Sequence, residues 1–155
     1  MKKAYLFLAD GFEEIEGLTV VDILRRAGVD ICTVSIMGKK EITGAHQIEV
    51  KADALYEECR FADGDMFILP GGMPGTRYLG EHKGLCQLLK EKANDGVALA
   101  AICAAPSVLG DLGLLQGEKA ICYPGFESRL AGATVTFEKV VTDGNITTSM
   151  GMGTA

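Results

Sequence analysis

The sequence predicts an α/β sandwich, with a mostly parallel sheet and helices on both of its faces. Apolar runs of strand length alternate with segments whose apolar residues have helical spacing, and only short turns separate them. The chain has 155 residues, 48% of them hydrophobic, which is the size and composition of one domain with a full core. We therefore expect a single domain over residues 1–155.

The first half of the chain predicts two core strands around one helix. Residues 4–9 form an apolar run of strand length. A helical pattern follows over residues 13–27 and stops at Gly28, a residue typical of helix ends. Residues 30–36 alternate as a second strand, and the polar, turn-rich residues 38–53 predict a short hairpin beyond it.

The second half predicts two further core strands and a weaker end. Residues 65–69 are an apolar strand, residues 75–94 contain a helix, and residues 97–102 are a third continuous apolar run. The pattern is less clear after Leu115, where we expect a strand at 119–123 and a hairpin within 140–150, turning at Asp143-Gly144.

The last residues have the pattern of a helix start. Residues 150–155 lead from a strand to a helix cap at Thr154, and no helical segment comes after it. We therefore expect that the domain lacks a C-terminal helix.

Charge and composition narrow the kind of partner. The net charge is −6 and the pI is about 4.9, which argues against nucleic acid and anionic membranes and favours a small molecule or a protein. No apolar run approaches the length of a membrane span, and the N-terminus lacks the pattern of a signal peptide.

The cysteines indicate free thiols. There is no C-x-x-C motif, the number of cysteines is odd, and His46 and His82 are isolated, so we expect neither a disulfide framework nor a zinc site. Free thiols in an acidic chain favour a reducing cytoplasm. The five cysteines are Cys32, Cys59, Cys86, Cys103 and Cys122.

Cys103 has the surroundings of a reactive residue. A strand delivers it to a turn of small residues, and Pro106 begins the next helix, which is the pattern of a nucleophile elbow. The backbone N–H groups and positive end of that helix favour a thiolate. Cysteine at the end of an apolar strand is also a common core residue, so the turn alone leaves both interpretations open.

Glu16 is the carboxylate that we expect to find beside this thiol. It shares a helical stripe with four apolar residues, which places it on the face that packs against the sheet and raises its pKa. Glu13 and Glu14, by contrast, have the ordinary role of acidic residues at a helix N-terminus. The apolar stripe consists of Val20, Ile23, Leu24 and Ala27.

Gly71 and Gly72 follow the strand at 65–69, so a parallel sheet brings them to the same edge as Cys103 and Glu16. A glycine pair is commonly a plain turn. Its functional interpretation is that backbone N–H groups there, together with that of Ala104, stabilise an oxyanion. No G-x-G-x-x-G or P-loop motif supports phosphate binding.

Four segments in this order resemble the ThiJ/PfpI superfamily, and most closely its DJ-one-like branch. The resemblance implies a flavodoxin-like (class I glutamine amidotransferase-like) sandwich that commonly forms homodimers. We expect the protein to need no cofactor or metal. The segments are LADGFEEIE at 8–16, RRAGV at 25–29, ILPGG at 68–72 and AICAAP at 101–106.

The resemblance also implies roles for individual residues. Cys103 matches the oxidation-prone nucleophile, and Glu16 matches the protonated glutamate that hydrogen-bonds it. Gly72 and Ala104 match the backbone donors, and Arg26 matches an arginine near the pocket and the dimer interface. Residues 149–154 are similar to the family's closing S-x-G-x-G-T segment, after which members normally have another helix.

Two departures from the family pattern shape the expected chemistry. Proteolytic branches have His directly after the nucleophile, where this chain has Ala104, so we exclude a protease. Many DJ-one-like members have His at the position of Tyr123, and tyrosine is a poorer proton shuttle near neutral pH.

We therefore expect a cysteine enzyme of the glyoxalase or deglycase kind, acting on small reactive dicarbonyls or their adducts. The alternative is a redox sensor or stress-protective protein without turnover, oxidised at Cys103. A thiazole or thiamin-related role is suggested only by names used in the family.

Overall fold

A computed structural model describes residues 2–155. Four α-helices accompany the strands in this range: α1 (Glu14–Arg26), α2 (Gly75–Glu81), α3 (Lys83–Asn94) and α4 (Pro106–Asp111). The strands are β1 (Lys3–Leu8), β2 (Asp30–Ser35), β3 (Glu41–Thr43), β4 (Glu49–Lys51), β5 (Ala54–Leu55), β6 (Met66–Leu69), β7 (Ala98–Ile102), β8 (Lys119–Ala120), β9 (Thr134–Val135), β10 (Val140–Asp143) and β11 (Ile146–Ser149).

Seven of the strands form one central sheet in the order β10-β11-β7-β6-β1-β2-β5. Every neighbouring pair in it is parallel except the hairpin of β10 and β11. The predicted mostly parallel, flavodoxin-like sandwich is thereby confirmed. Two small pairs, β3 with β4 and β8 with β9, lie outside the central sheet.

The two faces of the sheet support two separate cores. Alternate residues of β1 point to opposite faces, so Phe7 belongs to one core and Leu6 to the other. The larger core receives apolar residues of α2, α3 and α4, whereas the smaller core receives Val21 of α1. This arrangement brings the carboxyl ends of β1, β6 and β7 side by side at one edge of the sheet.

The predicted helix within 75–94 is two helices. His82 interrupts it in an extended conformation, and its ring Nδ1 accepts a hydrogen bond from the Leu85 N–H at 2.9 Å, which caps α3. The strand expected at 119–123 is shorter than predicted. It ends at Ala120 as β8, which pairs with β9 outside the central sheet. The hairpin at Asp143-Gly144 is confirmed.

An apolar groove of about 230 Å³ lies between α1 and the open face of the sheet, lined among others by Leu24, Ile68 and Ala100. The closing 3₁₀ turn, Met152–Thr154, ends beside this groove, which Ala155 also lines. The expected lack of a further C-terminal helix, like the single domain over residues 1–155, stays a prediction. Over residues 2–155, no helix combines the length and apolarity that crossing a membrane requires.

Candidate active site

Cys103 occupies a strained turn directly after β7. Its φ angle is 66°, in the left-handed region that side-chain-bearing residues rarely adopt. Two backbone hydrogen bonds hold it there: its N–H donates to the Ser149 carbonyl at 2.9 Å, and its own carbonyl accepts from the Tyr123 N–H at 2.7 Å. The turn therefore has the conformation of the predicted nucleophile elbow.

Three groups from different elements surround the half-buried sulfur of Cys103. The Glu16 carboxyl hydrogen-bonds it, and so do the backbone N–H groups of Gly72 and Ala104. Glu16 is only 1% exposed, and its Oε1 also accepts the Gly71 N–H at 3.1 Å. The structure thus brings together Cys103, Glu16, Gly72 and Ala104 as the sequence predicts.

Gly71 and Gly72 also lie where there is no room for a side chain. A Cβ atom on Gly71 would lie 2.5 Å from Glu16 Oε1 and 2.6 Å from Cys103 Cβ, closer than real contacts allow. Gly72 has a φ of 91°, and a Cβ there would lie 2.3 Å from the Glu13 nitrogen. The absence of a side chain at Gly71 lets the carboxyl and the thiol meet, and its absence at Gly72 lets the turn approach the backbone at Glu13.

Glu16 and Cys103 share protons as a coupled pair. Burial, followed by the negative charge of Glu13, raises the pKa of Glu16 to about 7, against the opposing hydrogen bond to Cys103. Burial and the Glu16 charge raise the pKa of the Cys103 thiol to about 12, although the Ala104 and Gly72 N–H groups lower it. The pair therefore loses one proton near neutral pH and keeps the second.

The backbone N–H groups at the turn favour the thiolate as expected, but they do not determine the net pKa of the thiol. The two N–H donors are present, but burial and the neighbouring carboxylate outweigh them. A thiolate at Cys103 requires the remaining proton to reside on Glu16.

The reason given for the burial of Glu16 is also wrong in part. Ile23 is 56% exposed and Ala27 is exposed, so the apolar stripe does not continue along the helix as predicted. The buried face of α1 instead includes Gly17 and Val21. Glu16 is buried because its carboxyl packs against Gly71 and Cys103 at the first turn of the helix.

Glu14 does more than complement the helix dipole, contrary to the prediction. It is only 4% exposed, and its carboxylate accepts the His46 N–H at 2.8 Å and the Ile48 N–H at 3.2 Å. His46 Nδ1 also lies 3.0 Å from Glu14 Oε1. Glu14 thus fastens the β3–β4 hairpin to α1. Glu13 has the expected role and caps the helix by accepting the Ile15 N–H at 3.2 Å.

Glu14 and His46, which we call the hairpin clamp, each favour the charged form of the other. Burial disfavours ionisation of Glu14, yet hydrogen bonds from backbone N–H groups and His46 lower its pKa overall. The hydrogen bond to Glu14 and the charge of Glu13 raise the pKa of His46. Ligand atoms of these three residues lie within 4.8 Å of one another, but the Glu14 oxygens are already occupied by hydrogen bonds. The absence of a metal requirement stays a prediction.

Tyr123 and Arg26 lie at different distances from the thiol. The half-exposed Tyr123 ring packs beside Gly151, where a Cβ atom would lie 3.4 Å from the ring and 4.0 Å from Glu16 Oε2. Tyr123 is therefore at the rim of the site. Arg26 is in the last turn of α1, and its exposed Nε pairs with Asp22 at 2.9 Å. The structure does not bring it to Cys103, and an interface role stays a prediction.

A nucleophile elbow at the carboxyl edge of a flavodoxin-like sheet, with a buried glutamate against its sulfur, defines a class of cysteine-bearing α/β proteins. The DJ-1/PfpI family model matches residues 2–155. The chain belongs to the DJ-1/PfpI family, which confirms the resemblance drawn from its motifs.

Known proteins of the family agree with this assignment in sequence and in structure. The chain is 39% identical to Protein DJ-1 homolog B of Arabidopsis thaliana over 99% of its own length, but spans only 35% of that protein. It is 30% identical to a deglycase of Pyrococcus abyssi, covering 92% of this chain and 86% of the relative. The solved structure of oxidized Toxoplasma gondii DJ-1 superposes with a TM-score of 0.94 at 34% identity, covering 99% of this chain and 84% of that one.

Proposed function

We propose that the protein is a cofactor-independent cysteine enzyme acting on small reactive dicarbonyls or their adducts, as a glyoxalase or deglycase does. The observation that carries the proposal is the hydrogen bond between the Cys103 thiol and the buried Glu16 carboxyl, with the Gly72 and Ala104 N–H groups at the same sulfur. A nucleophile, a proton acceptor and fixed donors are the groups that addition of a thiol to a carbonyl requires.

In the first step, the Glu16 carboxylate takes the thiol proton while the sulfur of Cys103 adds to the aldehyde carbon. The C–S bond forms as the carbonyl π bond breaks, and the oxygen carries the electron pair as an alkoxide. The N–H groups of Gly72 and Ala104 stabilise the negative charge, first on sulfur and then on oxygen. Glu16 returns the proton to the alkoxide, which gives a hemithioacetal.

In the second step, Glu16 is again a carboxylate, next to a carbon that still carries one hydrogen. With methylglyoxal, Glu16 removes that proton and returns it to the neighbouring carbon, which isomerises the hemithioacetal to a thioester. Water then cleaves the thioester to lactate and the free thiol. Addition, proton transfer and hydrolysis account for the whole reaction, so no external oxidant or reductant takes part.

The comparison with the deglycase of Pyrococcus abyssi supports this substrate class, because the two chains align over most of both lengths. The expected homodimer and cytoplasmic location stay predictions. The expected absence of a nucleic-acid partner, which rests on the net charge of −6, also stays a prediction.

Lactate formation from methylglyoxal tests the proposal. We expect activity in the unaltered protein, loss of it in Cys103→Ser and a large reduction in Glu16→Ala. Cys86→Ser is the matched control, because Cys86 is another half-buried thiol away from the site. Equal rates in the unaltered protein, Cys103→Ser and Glu16→Ala would refute the mechanism.

The second candidate function is a redox sensor or stress-protective protein without turnover. One observation favours it: three hydrogen-bonding groups converge on a single sulfur, and the same groups would hold the oxygens of a sulfinate. Mild peroxide should then add two oxygens, about 32 Da, at Cys103 alone. Selective oxidation without lactate formation would favour the sensor, and turnover without selective oxidation would favour the enzyme.

A further inference from the structure

A second pair of thiols lies away from the candidate active site. Cys32 is in β2, opposite Tyr5 of β1, and Cys59 comes directly after the 3₁₀ turn Tyr56–Glu58. Both are half-buried: the thiol of Cys59 donates to the Leu55 carbonyl at 3.4 Å and that of Cys32 to the Thr33 carbonyl at 3.8 Å, and the two thiols are near enough to affect each other's pKa. Cys103, by contrast, follows the carboxyl end of β7, which two other strands separate from β2.

The two thiols share a cavity that opens to solvent. Its volume is about 400 Å³, and both Cys32 and Cys59 line it together with Lys3, Arg60 and Asp63. A small oxidant that enters this cavity therefore meets both cysteine residues. Nothing in the proposed reaction of Cys103 uses this cavity.

Burial and the charges around the cavity determine the protonation of Cys32 and Cys59. Burial raises the pKa of both thiols, that of Cys32 to about 11, while the nearby Lys3 ammonium lowers both. The two thiols are therefore mostly protonated at neutral pH, and their reaction with an oxidant proceeds through the small thiolate fraction. Cys59 lies outside the sheet, on the segment that follows the turn, whereas Cys32 is fixed in a central strand position.

We propose that Cys32 and Cys59 form a dithiol–disulfide redox centre that peroxides oxidise, independent of Cys103. The sulfur of Cys59 attacks one oxygen of hydrogen peroxide as a thiolate, the O–O bond breaks, and one water leaves once protonated. The Cys32 sulfur then displaces the hydroxyl of the resulting sulfenic acid, which forms the S–S bond and releases a second water. Two thiols and one peroxide thus give one disulfide and two waters.

The cross-link would fasten the edge of the central sheet. It would join β2 to the segment after β5, the last strand in the sheet order, so the reduced and oxidised proteins differ in how that edge is held. Formation requires the sulfur atoms to approach to about 2.05 Å, so the oxidation must bring the segment around Cys59, which lies outside the sheet, towards β2.

The test uses the full chain carrying Cys103→Ser, so that oxidation at the candidate active site does not contribute. After treatment with hydrogen peroxide, we expect the intact mass to fall by about 2 Da and to return when a thiol reductant is added. Proteolysis without reduction should yield one cross-linked peptide pair containing Cys32 and Cys59. The additional changes Cys32→Ser and Cys59→Ser should each abolish the loss, and Cys86→Ser should leave it unchanged.

Three outcomes would overturn the proposal. These are a gain of oxygen with no loss of mass, a cross-link that includes Cys86 or Cys122, and a disulfide formed only between two chains. Because the peptide analysis is done on protein that retains both Cys32 and Cys59, the result does not depend on the folding of the serine variants. The assay contains no carbonyl substrate, so its failure is separate from any failure of the proposed enzyme activity.

Discussion

The carboxyl group of Glu16, in the first turn of α1, hydrogen-bonds the thiol of Cys103 at the end of β7. Gly71 makes this contact possible, since any side chain at that position would occupy the space between the two groups. The pair holds one proton above neutral pH, and the group that carries it determines whether Cys103 is a thiol or a nucleophilic thiolate.

Gly71→Ala should abolish lactate formation in a protein that still folds. The new Cβ would meet Glu16 Oε1 and Cys103 Cβ at about 2.5 Å, so one of the two must move. We expect an overpacking cost of about 1–3 kcal/mol in the free energy of unfolding and loss of lactate formation. Gly80→Ala is the matched control, because its nearest neighbour would be 3.7 Å away. Full activity in Gly71→Ala would show that the contact is not needed.

Glu16 should make the stability of the protein depend on pH. Its pKa is raised from 4.5 to about 7 in the folded state, so the folded protein binds the proton more tightly than the unfolded chain does. The resulting stabilisation is complete below the unfolded pKa and is lost as the pH rises towards 7. Relative to Glu16→Gln, the free energy of unfolding should fall by about 3 kcal/mol between about pH 4 and pH 8. Denaturant unfolding at several pH values measures this, and a difference that is constant with pH would contradict it.

Glu14→Ala should loosen the β3–β4 hairpin. The change removes the acceptor for the N–H groups of His46 and Ile48, and we expect a cost of about 2 kcal/mol. Hydrogen exchange at these two amides should become faster. Glu13→Ala is the comparison, since it removes a helix cap worth about 1 kcal/mol and a charge beside His46 but no acceptor of these two amides. Unchanged exchange at His46 and Ile48 in Glu14→Ala would show that the clamp does not hold the hairpin.

Tyr123→His should increase the rate of lactate formation. The ring lies beside Gly151 near Glu16, and an imidazole exchanges protons near neutral pH where a phenol does not. We expect a higher kcat in Tyr123→His and little change in Tyr123→Phe, measured with methylglyoxal at neutral pH. A kcat that falls equally in both variants would mean that the tyrosine itself is used.

The parts of the site that follow from local sequence were predictable. The apolar run of β7, the small residues around Cys103 and Pro106 at the start of α4 are neighbours in the chain, so the elbow could be recognised from them. Parallel strand order then indicated that Gly72 and Glu16 would converge on the same edge. The raised pKa of Glu16 was also expected, but the raised pKa of the Cys103 thiol was not, because it depends on how deeply the pair is buried.

Contacts between distant segments were the ones that sequence reasoning missed. Glu14 looked like Glu13 at the same helix end, and only the position of the hairpin shows that His46 and Ile48 bind it. The helical periodicity predicted that Ile23 is buried. It is exposed, because this face of α1 lines an open groove. His82 divides α2 from α3, and the glycines two residues to either side of it, Gly80 and Gly84, were not recognised as marking the break.

The pH dependence of lactate formation tests the Glu16–Cys103 pair most directly. The pair must lose its first proton before Glu16 can act as a base, so kcat/KM for methylglyoxal should rise through an apparent pKa of about 7 and then level off. Glu16→Gln should be slower by about 100-fold or more and should lack the inflection near neutral pH. An unchanged rate and profile in Glu16→Gln would contradict the account.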